Sequence, residues 1–180
     1  MPLLTTPVGV LMGVDWGGRR IGLALSDPGR LLARPLEILV RSGEDLLPDS
    51  HDEKVLTRLE FLVRQNGVVA LVFGVPYYHL SGDPNPRAPL FLEAGRQVGE
   101  RLSLPVFFYD EGQTSSRARE LRPAKKKQRG RKDPCDDLAA VLLLQGFLDD
   151  PAPAQAEKVA TSGGGDDRET VSPESRRPHP

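Results

Sequence analysis

The chain has 180 residues, of which 38% are hydrophobic, and its formal net charge at pH 7 is -1. This length is typical of one folded domain whose core is large enough to be stable without disulfides. The single cysteine excludes an internal disulfide and is typical of a reducing compartment. The charge excludes a globally basic surface, so any surface that binds polyanions must be local.

The two ends of the chain differ from its middle. The first six residues lack the basic and apolar regions of a signal peptide. No apolar run approaches the roughly 20 residues that a helix needs to span a bilayer, so we expect a cytoplasmic protein that does not associate with membranes. Residues 151–180 are rich in Pro, Ala, Ser and Gly and lack aromatic side chains. We therefore expect one domain over residues 1–150, followed by a disordered tail over 151–180.

Three apolar runs, at residues 8–14, 21–25 and 31–39, open the folded part. Trp16-Gly17-Gly18 lies between the first two runs, and Asp27-Pro28-Gly29 lies between the last two. Glycine, proline and aspartate are typical turn residues, and turns this short join antiparallel neighbours. We therefore predict three consecutive strands in an antiparallel meander.

Helices and strands alternate in the rest of the predicted domain. Residues 52–65 have apolar side chains at helical spacing and end at a helix stop signal, Asn66-Gly67. Residues 68–75 form a continuous apolar run, which is typical of a buried parallel strand. Later segments predict a helix at 89–102, a strand at 106–109, a short helix at 114–121 and a last helix at 136–148. The last helix is apolar nearly all round, which favours deep burial. This order predicts an α/β fold with a mixed five-stranded sheet flanked by helices, and it resembles the ribonuclease H-like fold.

Three carboxylates lie at the ends of apolar elements that are far apart in sequence: Asp15, Glu111 and Asp136. If the fold brings them together, they form a hard oxygen site that suits Mg²⁺ or Mn²⁺ and not zinc. Carboxylates that hold a pair of such metals are the usual apparatus for in-line phosphodiester cleavage. The alternative is that each acid forms a turn or caps a helix, as Asp136 would at the start of its helix.

Two groups of basic residues accompany these acids. Arg19 and Arg20 follow two glycines, and guanidinium groups match the oxygens of a phosphate. The basic segment, residues 125–132, contains six basic residues and no acid: Lys125, Lys126, Lys127, Arg129, Arg131 and Lys132. Because it closely precedes Asp136, we predict that it binds nucleic-acid phosphates beside the acidic site. The alternative is a solvated connector, as most charged runs are.

Four motifs follow one another along the predicted domain. They are Asp-x-Gly-x-Arg-Arg-Ile-Gly from Asp15 with Ser26-Asp27 after it, Gly74-Val75-Pro76, Asp110-Glu111 with Thr114, and Asp136 with Ala139-Ala140 and Gln145. In order and spacing, over residues 9–148, they resemble the YqgF family, which is also called RuvX or the Holliday junction resolvase family.

The resemblance implies a metal-dependent nuclease that acts on structured nucleic acid. The family is associated with maturation of the 5′ end of 16S ribosomal RNA and with the resolution of four-way DNA junctions. By position, its three acids would be Asp15, Glu111 and Asp136, which would hold two Mg²⁺ or Mn²⁺ ions, with Asp15 bridging both. Candidates for a supporting role are Asp110, Thr114 and Asp137.

The chain departs from the family pattern near two of these acids. The family has an arginine after the Asp-Glu pair, where this chain has Gly112, so the contact that this arginine would make with substrate is missing. Asp137 is an additional acid beside Asp136. It could support the site or replace a ligand, but we favour a solvated residue in the first turn of the helix.

Two other functions are compatible with these residues. A module of the same fold could bind nucleic acid with little or no turnover. Actin-type and sugar-kinase-type ATPases also begin with Asp-x-Gly in a strand–turn–strand unit, but they need two such domains and this chain has room for one. The residues do not distinguish RNA from DNA. They also leave the oligomeric state open, since a junction resolvase needs a two-fold homodimer to cut symmetrically and an RNA-trimming enzyme does not.

Overall fold

The computed structural model describes residues 8–42, 45–78, 82–110 and 136–150 of the chain. The predicted helix at 114–121, the basic segment at 125–132 and the predicted tail at 151–180 lie outside the described residues. The division into a domain and a tail therefore stays a prediction. Among the described helices, none is long and apolar enough to cross a membrane.

Five strands form one mixed sheet in the order β3-β2-β1-β4-β5. The strands are β1 (Val10–Trp16), β2 (Arg20–Ser26), β3 (Ala33–Val40), β4 (Val68–Val75) and β5 (Val106–Asp110). β2 is antiparallel to both β1 and β3, whereas β4 is parallel to both β1 and β5. The predicted meander followed by parallel strands is therefore confirmed, and with it the ribonuclease H-like arrangement.

In the described part of the chain, three α-helices flank the sheet: α1 (Glu53–Asn66), α2 (Ala88–Leu102) and α3 (Asp136–Asp149). Their predicted ends agree with the structure to within one residue. α1 ends where Gly67 adopts a φ of 60° and donates its backbone N–H back to the last turn, a conformation that favours glycine. A short 3₁₀ helix that the sequence analysis missed, Ser50–Asp52, precedes α1.

Alternate residues of the central strands face two separate cores. On one face of the sheet, Val14 and Trp16 of β1 pack in a core to which α1 and α2 contribute. On the other face, Leu11 packs in a core with Ala140 and Leu144 of α3. Since successive side chains of a strand point to opposite faces, the odd-numbered residues of β1 face α3.

α3 runs antiparallel to β1 across this second face. Towards the helix end, the Gln145 side chain accepts a hydrogen bond from Ala33 N at 2.8 Å. Ala33 pairs with Ser26, whose hydroxyl accepts a hydrogen bond from Leu11 near the start of β1. Nearer the helix start, a Cβ atom on Gly13 would lie 3.0 Å from the carbonyl oxygen of Ala140. The start of α3 therefore points towards the sheet edge at which β1, β4 and β5 end.

α3 is less buried than its apolar sequence suggests. Leu143 and Leu144 are at most 2% exposed, whereas Leu138 and Leu142 are 50% and 38% exposed. In the described part of the chain, the helix packs one side on the sheet, and the opposite side faces outwards. The expectation of burial nearly all round is therefore wrong for these residues.

Candidate active site

Asp15 lies inside β1 and not, as the sequence analysis expected, after the last strand residue. The strand continues to Trp16, which is 1% exposed and pairs with Ile21 of β2. The indole N–H of Trp16 donates to the carbonyl oxygen of Leu46 at 2.7 Å. This burial and hydrogen bond extend the strand by two residues and shift the turn to residues 17–19. Asp15 is half-buried and faces the side of the sheet on which α3 packs.

Asp15 borders an open cavity of about 240 Å³. The other described residues that line it are Gly17, Arg19, Arg20, Gly22 and Ile38. Gly22 is the partner of Asp15 in the β1–β2 ladder, and because it has no side chain, the space beside the carboxylate stays open. Asp15, Arg19 and Arg20 therefore lie around one cavity.

The tight turn between β1 and β2 directs the two arginines to this cavity. Gly17 N donates to the carbonyl oxygen of Arg20 at 2.9 Å and closes the turn. A Cβ atom on Gly17 would lie 2.7 Å from the same oxygen, so the turn requires glycine here. Both Arg19 and Arg20 are exposed. The arrangement combines a carboxylate, the ligand type that divalent metals prefer, with two guanidinium groups suited to phosphate oxygens.

Asp110, one of the predicted supporting residues, lies at the same edge of the sheet. Val14 of β1 pairs with Phe73 of β4, which pairs with Phe108 of β5. Asp15, next to the last residue of β1, and Asp110, the last residue of β5, therefore lie at the same edge of the sheet. Phe108 belongs to the core on the α1 and α2 side. Because side chains alternate, Asp110 lies on that side as well. The structure therefore brings the two acids to one edge but on opposite faces of the sheet.

The other predicted acids are described only in part. Asp136 and Asp137 are the first residues of α3, at the helix end that points towards this edge, but their side chains are not described. Glu111, Thr114 and the basic segment lie outside the described residues. In the described part of the chain, no group of three His, Cys, Asp or Glu side chains could hold a metal ion. The three-acid metal site therefore stays a prediction.

Ser26 and Asp27, the end of the first motif, have structural contacts. The Asp27 carboxylate accepts hydrogen bonds from the backbone N–H groups of Gly29, Leu31 and Leu32, at 3.1, 2.7 and 2.8 Å. The hydrogen bond from Leu32 is the largest of the effects that hold the pKa of Asp27 below its ordinary value of 3.8. These bonds extend the turn to Leu32, so that β3 begins two residues later than predicted.

A buried ion pair behind the β1–β2 turn was missed by the sequence analysis. Arg41 follows β3, and its guanidinium contacts the Asp52 carboxylate through Nη2 at 2.6 Å and through Nε at 3.0 Å. Both side chains are 0% exposed. The two residues lie at the ends of a polar segment that looks like an exposed loop. The sequence signal for Asp52 was that of an ordinary acid at a helix start, so nothing local marks the pair as buried.

Comparison with known proteins relates the whole described region to one family. A family model described as "RuvX: Holliday junction resolvase" matches residues 9–150. A protein of Roseiflexus sp. (strain RS-1), named "Putative pre-16S rRNA nuclease", is 37% identical over 147 residues, which cover 81% of this chain and 98% of the relative. A protein of the same name from Moorella thermoacetica is 37% identical over 140 residues, which cover 77% of this chain and 94% of the relative.

Among solved structures, the chain is similar to RuvC of T. thermophilus in complex with a Holliday junction substrate. The TM-score is 0.47 and the sequence identity is 18%, and the match covers 76% of this chain and 91% of the RuvC chain.

Proposed function

Because the chain belongs to the RuvX family and is accordingly a nuclease, we propose that it hydrolyses phosphodiester bonds of structured nucleic acid with divalent cations. The observation that carries this proposal is the cavity in which Asp15 faces Arg19 and Arg20. A half-buried carboxylate loses hydration, and a bound cation offsets that cost. The arginines would bind the phosphate on the open side of the same cavity.

We propose Asp15, Glu111 and Asp136 as the residues that hold Mg²⁺ or Mn²⁺. The donor set fits such ions, since carboxylate oxygens are their preferred protein ligands. When bound, a pair of these ions supplies an activated water and stabilises the leaving oxygen. Support for the position of Asp136 comes from the direction of α3, which begins at the edge where Asp15 lies. We propose a supporting role for Asp110, from the opposite face of the sheet, and for Thr114. For Asp137, which could also support the site, we still favour a solvated residue in the first turn of α3.

Arg19 and Arg20 would bind and orient the substrate backbone and would not move protons, since arginine stays protonated. Both residues are exposed, as contact with a large ligand requires. We propose that the basic segment, with Lys125, Lys126, Lys127, Arg129, Arg131 and Lys132, adds further phosphate contacts. Such contacts fix the position of the backbone without reading its base sequence.

For the substrate, we propose precursor 16S ribosomal RNA, because the curated relatives carry that activity in their names. A four-way DNA junction is the second candidate, since the family description names it. The two candidates differ in assembly. Symmetric cleavage of a junction requires a homodimer with two-fold symmetry, whereas trimming of an RNA end does not.

The test is cleavage of labelled substrates by the full-length protein. The panel contains a four-way DNA junction, a DNA single strand and a structured RNA that spans the 5′ end of 16S rRNA, each with Mn²⁺, with Mg²⁺ and with a chelator. We expect cleavage of the structured RNA that stops when the chelator is present. Cleavage that continues in the chelator would refute metal dependence. Binding of the panel without any cleavage would favour the alternative of a nucleic-acid-binding module.

A further inference from the structure

We propose that Arg41 is a positioning residue that holds the β1–β2 turn so that Arg19 and Arg20 meet the substrate backbone. The inference rests on the proposed function, because it assumes that these two arginines bind phosphates. Arg41 is not among the residues that line the cavity, and its side chain is fully buried. It would therefore act through the turn and not by touching nucleic acid.

Arg41 makes two hydrogen bonds with the turn from its buried side, and it also contacts Trp16, the last residue of β1. Its backbone N–H donates to the carbonyl oxygen of Arg19 at 2.9 Å. Its Nη1 donates to the carbonyl oxygen of Gly17 at 3.1 Å. Its guanidinium carbon lies 4.7 Å from the ring centroid of Trp16, a cation–π geometry. One residue thus holds both ends of the short segment that carries Arg19.

The other side of the Arg41 guanidinium is bound just as firmly. Besides the two contacts with Asp52, Nη2 donates to the carbonyl oxygen of Leu47 at 3.2 Å. The Asp52 carboxylate also accepts a hydrogen bond from Asp49 N at 3.2 Å. The guanidinium is therefore held by the segment before α1, and through its hydrogen bond with Gly17 it holds the turn in place relative to that segment.

Stability alone is a weak explanation for this pair. Replacing a buried ion pair with apolar side chains of similar volume is often neutral or stabilising. Apolar side chains, however, cannot donate to the carbonyl oxygen of Gly17. The turn contains Gly17 and Gly18, and glycine allows many backbone conformations, so loss of that donor should widen the range of positions of Arg19 and Arg20. Asp15 is held separately, by its pairing with Gly22 in the β ladder.

The test replaces the pair as a unit, with Arg41→Met and Asp52→Leu in the full-length protein. Affinity for a labelled structured RNA is measured in a chelator, where cleavage is not expected, over a series of salt concentrations. We expect the dissociation constant to rise about tenfold, since charge-assisted contacts with phosphate depend on geometry. The slope of log affinity against log salt should also become shallower, because that slope counts phosphate contacts.

The same double change is then made in a protein that carries Arg19→Ala and Arg20→Ala. If Arg41 acts through these arginines, the Arg41→Met, Asp52→Leu change should weaken binding little further in the protein that already lacks them. An equal weakening in both backgrounds, or no weakening in either, would overturn the proposal. A matched control is Arg58→Gln with Glu37→Gln, which removes an ion pair between β3 and α1 that does not contact the turn. This control should leave both affinity and salt slope unchanged.

A second variant covers the case in which the apolar pair does not fold. Arg41→Lys keeps the charge beside Asp52, but an ammonium cannot reproduce the planar set of donors that reaches Asp52 and Gly17 together. We expect the same loss of affinity and the same shallower slope, and normal affinity would overturn the proposal. If the wild-type protein binds the RNA but does not cleave it with Mn²⁺, the proposed catalytic function fails while this inference is still tested. A wild-type protein that does not bind would refute both.

Discussion

An aspartate lies near a glycine-containing turn at each end of β1: Asp15 at its carboxyl end, and Asp27, which follows β2, beside its start. The two carboxylates have different surroundings. Beside the start of β1, three backbone N–H groups donate to Asp27. At the other end, Asp15 borders an open cavity together with Arg19 and Arg20. A carboxylate that accepts several backbone hydrogen bonds is committed to holding a turn. One that faces a cavity lined by cations is suited to bind a metal and a phosphate.

The largest expected effect is the loss of cleavage when Asp15 is changed to Asn, compared with the same change at Asp27. Asp15→Asn should reduce Mn²⁺-dependent cleavage by more than about a hundredfold, since a neutral amide lacks the negative charge and the second oxygen of a carboxylate. Its melting temperature should be unchanged or higher if the predicted acids lie together, because neighbouring carboxylates repel one another. Asp27→Asn is the matched control and should keep its cleavage while its melting temperature falls. Normal cleavage by Asp15→Asn would remove Asp15 from the site.

Neutralising the basic segment tests whether the end of β1 that carries Asp15 lies beside a phosphate-binding surface. With Lys125, Lys126, Lys127, Arg129, Arg131 and Lys132 changed to Gln, affinity should fall for every sequence alike. The salt slope should become shallower by roughly 0.9 for each lost contact with duplex DNA. Turnover at saturating substrate should change much less, since the predicted metal ligands stay in place. A steep fall in turnover with normal affinity would instead mean that the segment stabilises the transition state.

Alanine substitutions at two glycines compare a position packed against α3, Gly13, with a position that has free space around it, Gly67. A Cβ atom on Gly13 would lie 2.8 Å from Cβ of Leu144, so Gly13→Ala should cost about 1–3 kcal/mol of unfolding free energy. It should also weaken cleavage by displacing the start of α3. In Gly67→Ala the new Cβ would contact nothing within 4 Å. Only the left-handed backbone is then strained, at a cost of about 1 kcal/mol, and cleavage should be normal. Denaturant unfolding and cleavage rates check both variants, and equal losses of activity would contradict the role of α3.

The pH dependence of stability tests the contacts of Asp27. Backbone hydrogen bonds hold the pKa of this carboxyl below 3.8 in the folded protein. A group whose pKa is lowered on folding stabilises the protein above its unfolded pKa, and that stability is lost as the pH falls through the folded value. The stability advantage of the wild type over Asp27→Asn should therefore narrow as the pH falls below about 4. Melting temperatures measured between neutral and acidic pH check this, and a constant difference would contradict it.

Removal of residues 151–180 should have the smallest effect. The composition of this segment cannot support a core of its own. A protein that ends at Asp150 should keep both the melting temperature and the cleavage rate of the full chain. A loss of several degrees would show that the tail packs against the domain, and lower cleavage at normal stability would show that it contacts substrate.

Most of the fold could be predicted because its signals are local. Short turns with glycine and proline indicated the antiparallel meander, and the continuous apolar run of β4 indicated a strand buried on both faces. The predictions were wrong where residues distant in sequence decide where a strand ends or which side of a helix is buried. β1 extends past Asp15 because Trp16 binds a carbonyl oxygen 30 residues away. α3 exposes Leu138 and Leu142, which the sequence did not predict, because the hydrophobicity of a helix does not indicate how many other elements will cover it.

The sequence by itself determined the order of the elements, the carboxylate at the end of the first apolar run and the pair of arginines after it. Only the tertiary structure decided that Asp15 and Asp110 lie on opposite faces of one edge, that Asp27 holds a turn, and that Arg41 is buried. The physical reason is range. Periodicity and turn chemistry act over a few neighbouring residues. Burial of a charge depends instead on partners that come from other parts of the chain, as Asp52 and Gly17 do for Arg41.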